Sequence, residues 1–424
     1  MSIRILIFLS GILFLKFILI IPTWAEEFAE SGDSMRSSPE PIGELRTVTL
    51  KHVYHHGSSR FPKLLRRKDF TEVSLRAQEL ETGESFTHAI RIINGTSVSS
   101  SRHTVEEFRQ KSQNDHVSLI MDWKDKGIRL PKIRDLETLT NFAKMTYNAY
   151  TEIGNEDWYD LGDRYRVNDS FGWDKDGIRG HVFGDANNEI LIISLKGTSM
   201  GFGAGPTVPN DKLNDNLLFS CCCANVDRTW TPVCKCRIES DRCDKACLEK
   251  TVDLEESYYN VARRLFERVS EDFPKAQIWL TGHSLGGALS ALVGNTFGVP
   301  VVAFESPGER LPAQRLHLPG PPALPYHKMN IWHIGHSADP IYMGVCNGLG
   351  SSCYIGGYAM ETKCHLGFAM LFDVVEKFNW RIDVRTHRIK DVIERILNIW
   401  EWELPKLEPE FECEDCGYWN FIDV

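Results

Sequence analysis

No surplus of positive charge is available to this chain: 48 Lys and Arg stand against 58 Asp and Glu, a formal net charge of −10 at pH 7. Without a basic field to gather a phosphate backbone, nucleic acid is not expected as a partner. No internal repeat is visible, which argues against a stacked array. The sequence is not short of apolar residues either. Hydrophobic residues make up 42% and charged residues 25% of its 424 positions, which excludes wholesale disorder and a disulfide-stapled miniprotein as the whole answer. Cysteine is abundant, with twelve residues in clusters, many for a reducing compartment and even in number. No histidine lies between Cys221 and Cys247, and paired C-x-x-C knuckles are missing there. That weighs against zinc at Cys234, Cys236, Cys243 and Cys247 and for disulfides. Cys413-x-x-Cys416 sits in an acidic, aromatic tail and reads as a structural disulfide in preference to a redox pair. His52, His55 and His56 have no convergent carboxylate or cysteine and read as strand or surface residues.

The first residues address a membrane. Of the 17 residues from Ile5 to Ile21, 14 are Leu, Ile or Phe, with Arg4 before them and Glu26, Glu27, Glu30 and Asp33 after. On an insertion scale these contribute on the order of −4 to −8 kcal/mol against about 3 for Lys16, so insertion wins. The flanking charges predict residues 1–4 in the cytosol, a transmembrane signal-anchor at 5–22 and everything later in a lumen. Cleavage after Thr23, Trp24 and Ala25 is the alternative. The sequons at Asn94 and Asn168 are glycosylation candidates on that route.

Residues 23–41 are acidic and Ser/Pro-rich, a luminal linker. Residues 42–134 show short alternating runs and read as a strand-rich lead-in. From 135 to 404 an α/β rhythm takes over, interrupted by a Cys-rich insertion at 201–247, and 405–424 form an acidic C-terminal tail. The expected strands are Ile190 to Leu195, Ile278 to Leu280, Val299 to Phe304 and Met329 to Ile334. The expected helices are Thr138 to Tyr150, Asp253 to Phe273, Leu285 to Phe297 and Ile389 to Trp400. Strands alternating with helices predict a mostly parallel central sheet covered on both faces.

The chemistry concentrates between a strand and a helix. Thr281-Gly282-His283-Ser284-Leu285-Gly286-Gly287 contains G-x-S-x-G, a nucleophile elbow in which Ser284 projects from a strained turn. The glycines two residues away on each side let strand and helix approach. A serine hydroxyl needs an imidazole to take its proton, and the imidazole needs a carboxylate to fix its tautomer, in chain order Ser, acid, His. Asp339 follows the strand ending near Ile334 and is the expected acid. Asp373, Asp383 and Asp391 lie in expected helical or loop surface. Only His365 and His387 come later; His365 adjoins Cys364, whereas His387 stands in a loop before a helix and is the expected base. Backbone N–H groups of Leu285, next to the nucleophile, and of Thr198, after the Ile190 to Leu195 strand, are the expected oxyanion donors.

Lys196-Gly197-Thr198, Gly282 to Gly287, Glu305-Ser306-Pro307 and His336 to Pro340 together resemble the class 3 lipase family over roughly residues 135 to 400. The N-terminal anchor, the stretch from Gly201 to the Cys triplet, and Cys346 through Cys364 are similar to its fungal vacuolar branch, the lipases of autophagic bodies. The resemblance implies an α/β-hydrolase fold with a Cys-rich insertion and an N-terminal transmembrane anchor, and no metal or organic cofactor. It also implies a single-pass type II protein that passes through endoplasmic reticulum and Golgi to multivesicular-body or endosome membrane and vacuole lumen. Hydrolysis of membrane glycerophospholipid and triacylglycerol, needed to lyse autophagic bodies and intravacuolar vesicles, is the function implied. Leu213, Leu217, Leu218 and Phe219 could form an apolar strip that meets a bilayer, with core packing as the alternative. A luminal carboxylesterase acting on soluble esters and a non-catalytic membrane-binding protein on a hydrolase scaffold are the rival readings.

Overall fold

Ile190–Leu195 is a run of six buried residues with no polar face, the signature of a strand covered on both sides. The computed structural model describes residues 43–58, 61–99, 102–115, 123–150, 159–160, 177–198, 208–225, 231–321 and 323–424. The expected anchor and linker, and Asn168, lie outside these. Among the described residues no helix is long and apolar enough to cross a membrane.

The strands that place the site are, in chain order, β1 (Glu44–Ser58), β2 (Phe61–Asp69), β3 (Thr87–Ser99), β4 (Lys124–Pro131), β5 (Arg179–Gly184), β6 (Ile190–Leu195), β7 (Gln277–His283), β8 (Val301–Phe304), β9 (Ile331–His336) and β10 (Phe368–Phe372). Strands β6 through β10 pair in parallel, in the order β6-β7-β8-β9-β10. Beyond β6 every pairing is antiparallel, from β5 to β1 and on to β2, β3 and β4. The sheet is therefore mixed, and the expected parallel character holds only for these five strands. The lead-in strands add to this same sheet, because short connections between alternating segments allow antiparallel pairing where the α/β portion needs crossovers.

Side chains alternate between two cores. Ile190 and Ile192 enter one with Phe142 and Trp279; Leu191, Ile193 and Leu195 enter the other with Leu265 and Leu289. Helix α1 (Leu136–Asn148) packs in the first core; α3 (Tyr258–Asp272) and α4 (Leu285–Phe297) pack in the second, which also receives the end of α2 (Val208–Phe219). Helix α3 starts five residues later than its apolar spacing suggests, since Ser257 caps it by accepting the Asn260 N–H while Asp253 ends the preceding helix. Of the four strip residues in α2, Leu217, Leu218 and Phe219 are buried and Leu213 is 40% exposed. Three of the four residues of the candidate bilayer strip are thus core, because this helix turns its apolar end onto the sheet.

All twelve cysteines are paired: Cys222 with Cys243, Cys223 with Cys234, Cys236 with Cys247, Cys346 with Cys353, Cys221 with Cys416 and Cys364 with Cys413. Cys413 and Cys416 therefore do not pair with each other. Each instead staples the C-terminal segment to a different part of the domain. Asn94 is exposed on β3, opposite Arg129 of β4.

The tail is also held by charge. Glu410 lies 3.3 Å from Nδ1 of buried His365 and accepts the His365 N–H. Burial works against a charged ring, but the hydrogen bond and charge of Glu410, helped by Glu309, raise His365 to about 9. Burial likewise works against the Glu410 carboxylate, yet His365 lowers it to about 2. The ring, raised from 6.5, stabilises the fold fully below that pH and loses its contribution as pH rises through about 9. The carboxylate, lowered from 4.5, contributes fully above that pH and loses its share as pH falls through about 2. Glu410→Gln should therefore lower the thermal midpoint most near pH 5–6 and least above about 9, measured by scanning calorimetry across pH. Cys221→Ser/Cys416→Ser opens a loop of 195 residues. It should cost on the order of 2–5 kcal/mol in denaturant melts, with the other five bridges intact.

Candidate active site

Ser284 joins β7 to α4 at φ 57° and ψ −131°, a conformation L-residues rarely adopt. The turn is locked by its neighbours: the Ser284 N–H donates to the Phe304 carbonyl at 3.0 Å, and Ser284 O accepts the Gly287 and Ala288 N–H groups. A Cβ at Gly282 would strike the Gly286 carbonyl, and one at Gly286 would strike the backbone of Leu195 and Lys196, so neither position accepts a side chain. The elbow spacing is thus required by backbone contact.

His387 stands at the end of a short turn, Val384–His387, directly before the helix Ile389–Arg395. Its Nδ1–H donates to Asp339 Oδ2 at 2.7 Å, and both side chains are buried. Asp339 Oδ1 accepts the Ile341 N–H at 2.9 Å, so each carboxylate oxygen has a donor. Nε2 of His387 is buried and makes no hydrogen bond among the described residues, leaving its lone pair uncommitted. The ring lies 4.6 Å from that of His283, the residue before Ser284, which places it against the elbow.

Three groups pin the turn. His283 Nε2–H donates to the His387 carbonyl at 2.6 Å, while His283 Nδ1 accepts the Tyr150 hydroxyl at 2.8 Å. Burial, followed by the charge of His387, lowers His283 to about 3, so it stays neutral and keeps this tautomer. His336 Nε2–H donates to the Thr386 carbonyl at 3.1 Å. Nothing periodic or motif-like in the sequence marks Tyr150; it is found only because α1 ends beside β7.

Glu305 follows β8 at φ 44°, fully buried. Burial, then the charge of Asp339, holds its carboxyl well above the usual range, so it keeps a proton and donates it to Asp339. Burial also disfavours the Asp339 carboxylate, but the charge and hydrogen bond of His387 and the hydrogen bond from Glu305 outweigh it and hold Asp339 well below the usual range. One carboxylate is ionised and the other is a donor to it, a division of labour between two buried acids.

On the opposite side, a Cβ at Gly197 would lie 3.2 Å from Ser284 Cβ, which brings the end of β6 to the elbow. The next residue, Thr198, donates its hydroxyl to Asp215 Oδ2 at 2.7 Å. Asp215 is buried in α2, and burial pushes its carboxyl well up. Leu285 is the first residue of α4, so its N–H has no preceding turn to donate to and the helix dipole favours negative charge there. Ser284, Asp339, His387, Leu285 and Gly197-Thr198 thus meet at one corner of the sheet. His365 is elsewhere, with Nε2 on the Ser306 carbonyl and Nδ1 on Glu410. Glu309, His333 and His365 have ligand atoms within 4.8 Å of one another, but both His365 nitrogens are engaged, and the cysteine clusters are consumed by disulfides.

A family model described as Lipase (class 3) matches residues 222–298. A protein of Yarrowia lipolytica named "Putative lipase ATG15" is 40% identical over 89% of this chain and 73% of its own length. One of the same name from Cryptococcus neoformans is 52% identical over 65% of this chain, which spans only 54% of that relative. Among solved structures, Lip2 lipase from Yarrowia lipolytica is similar at 18% identity and a TM-score of 0.25, over 47% of this chain and 62% of that one.

Asp339→Asn keeps the shape but offers the wrong hydrogen-bond pattern to His387 Nδ1. It should lower turnover of a soluble ester by about 10³–10⁴-fold with little change in KM. Glu305→Gln preserves a donor and should cost about tenfold or less, whereas Glu305→Leu removes it and should cost more, read in the same assay.

Proposed function

The chain belongs to the class 3 lipase family, and from that premise we propose that it is a serine lipase cutting ester bonds of membrane glycerophospholipids and triacylglycerol. The observation that carries this reading is the His387 ring, oriented by Asp339 through Nδ1 and left with an uncommitted Nε2 beside the Ser284 elbow. His387 Nε2 takes the Ser284 proton as Oγ attacks the ester carbonyl, and Asp339 stabilises the imidazolium. The oxyanion is met by the N–H groups of Leu285 and Thr198, the latter fixed by its bond to Asp215. The imidazolium then protonates the departing alcohol, and water, deprotonated by the same ring, releases the fatty acid. No step draws on a metal or organic cofactor.

The similarity to relatives named for ATG15 and the apolar segment at 5–22 support the finer reading. In it, the chain is a single-pass type II membrane protein that travels through endoplasmic reticulum and Golgi to multivesicular bodies and the vacuole lumen, where it lyses autophagic bodies and intravacuolar vesicles. The membrane is then both partner and substrate, and Asn94 and Asn168 carry glycans.

Purified chain and Ser284→Ala compared on phospholipid vesicles, triacylglycerol emulsion and a soluble short-chain ester test the activity. Native protein should hydrolyse all three and Ser284→Ala should lose at least about 10³-fold on each. Hydrolysis of the soluble ester alone would favour the carboxylesterase reading, and no hydrolysis at all would favour a scaffold that only binds membrane.

A further inference from the structure

From Pro340 to Met360 the chain carries no Asp, Glu, Lys, Arg or His, although 25% of the whole sequence is charged and a stretch of that length would ordinarily hold about five charges. The two ends of this segment are fixed. Val345 N–H donates to the Pro340 carbonyl, directly after Asp339, and at the far end Asn216 of α2 bonds the Gly357 carbonyl at 3.0 Å and the Ala359 N–H at 2.7 Å. The same helix holds Thr198 through Asp215, so the segment arches from the acid side of the site to its oxyanion side.

Its base and tip have opposite characters. Cys346 and Cys353 are buried in the core and joined by a disulfide. Between and beside them Val345, Leu349 and Ile355 are 51%, 72% and 77% exposed. A Cβ added at Gly348 or Gly350 would meet nothing within 4 Å among the described residues, so Leu349 projects at the end of the loop.

Lys212 of α2 stands over Tyr358 at the far end of the segment, but aliphatic side chains held out in water on a stapled loop whose own residues carry no charge are costly unless something apolar receives them. We propose that the Cys346–Cys353 loop is a membrane-docking wedge. Leu349 and Ile355 enter the acyl region of a bilayer and seat the Ser284 corner at the lipid–water boundary. A bilayer is the occupant because the surface is a narrow projection: three side chains fall well short of the roughly 1,200 Å² that a stable protein interface buries, whereas a wedge needs only a few aliphatics. The inference deepens the lipase reading and rests on it for the identity of the surface.

Because every native cysteine is paired, Leu349→Cys supplies a single thiol for an environment-sensitive fluorophore on the full chain, and Leu80→Cys, on an aliphatic 87% exposed, serves as control. With vesicles of phosphatidylcholine and phosphatidylserine, the label at 349 should shift to shorter wavelength and brighten about twofold or more, while the label at 80 stays water-like. Leu349→Asp/Ile355→Asp should lower vesicle hydrolysis about tenfold or more and leave soluble-ester hydrolysis within about twofold; Leu80→Asp should change neither. A water-like label at 349, native vesicle hydrolysis by the double variant, or a native dimer that the double variant splits in light scattering would each overturn the wedge. If native chain hydrolyses nothing while the label at 349 still shifts, the lipase reading fails and the docking surface stands.

Discussion

Ser284 holds a backbone conformation that costs about 1–3 kcal/mol, and the groups packed around it keep it there. The strain persists because a strand and a helix meet at that one residue with no side chain between them. Gly282 abuts Gly286, Gly286 abuts the end of β6, and the Ser284 N–H is fixed to β8. The parallel strands β6, β7 and β8 are thus the rigid frame of the turn. Their burial on both faces gives that frame its stiffness, since every apolar side chain in β6 is committed to one core or the other.

Around the elbow the electrostatics are sorted by burial. Asp339 is ionised because His387 and Glu305 both donate to it; Glu305 and Asp215 keep their protons because nothing equivalent offsets their desolvation. A single negative charge in a dry corner orients the imidazole without a competing carboxylate to capture it. His283 adds a neutral link from Tyr150 to the His387 carbonyl. The position of His387 is therefore fixed at the side chain by Asp339 and at the backbone by His283.

Much of this was legible in the amino-acid order. The elbow follows from G-x-S-x-G between a strand and a helix, and chain order alone leaves two histidines after Asp339, of which the structure brings His387 to it. Helix Leu285–Phe297 and strand Ile190–Leu195 begin and end where their apolar runs do. Other features depend on long-range pairing that no local pattern encodes. Cys413 and Cys416, three apart, look like partners, but each faces a different distant cysteine. Leu217 to Phe219 read equally as surface strip or core, because hydrophobicity does not say which face of a helix meets the sheet. Glu305 and Asp215 are buried acids whose protonation follows from three-dimensional neighbours, and Tyr150 joins the site through a contact 133 residues away in sequence.

The bridge from Cys221 to Cys416 has a consequence for biosynthesis. Cys221, Cys222 and Cys223 leave the ribosome side by side, with Cys234, Cys236, Cys243 and Cys247 close behind, yet Cys221 must wait for a partner made 195 residues later. During that interval it is an unclaimed thiol adjacent to forming bridges, chemically able to take the place of either neighbour by exchange. Correct wiring of the insertion is therefore completed only after residue 416 has emerged, and any earlier mispairing of Cys221 must be undone by thiol–disulfide exchange.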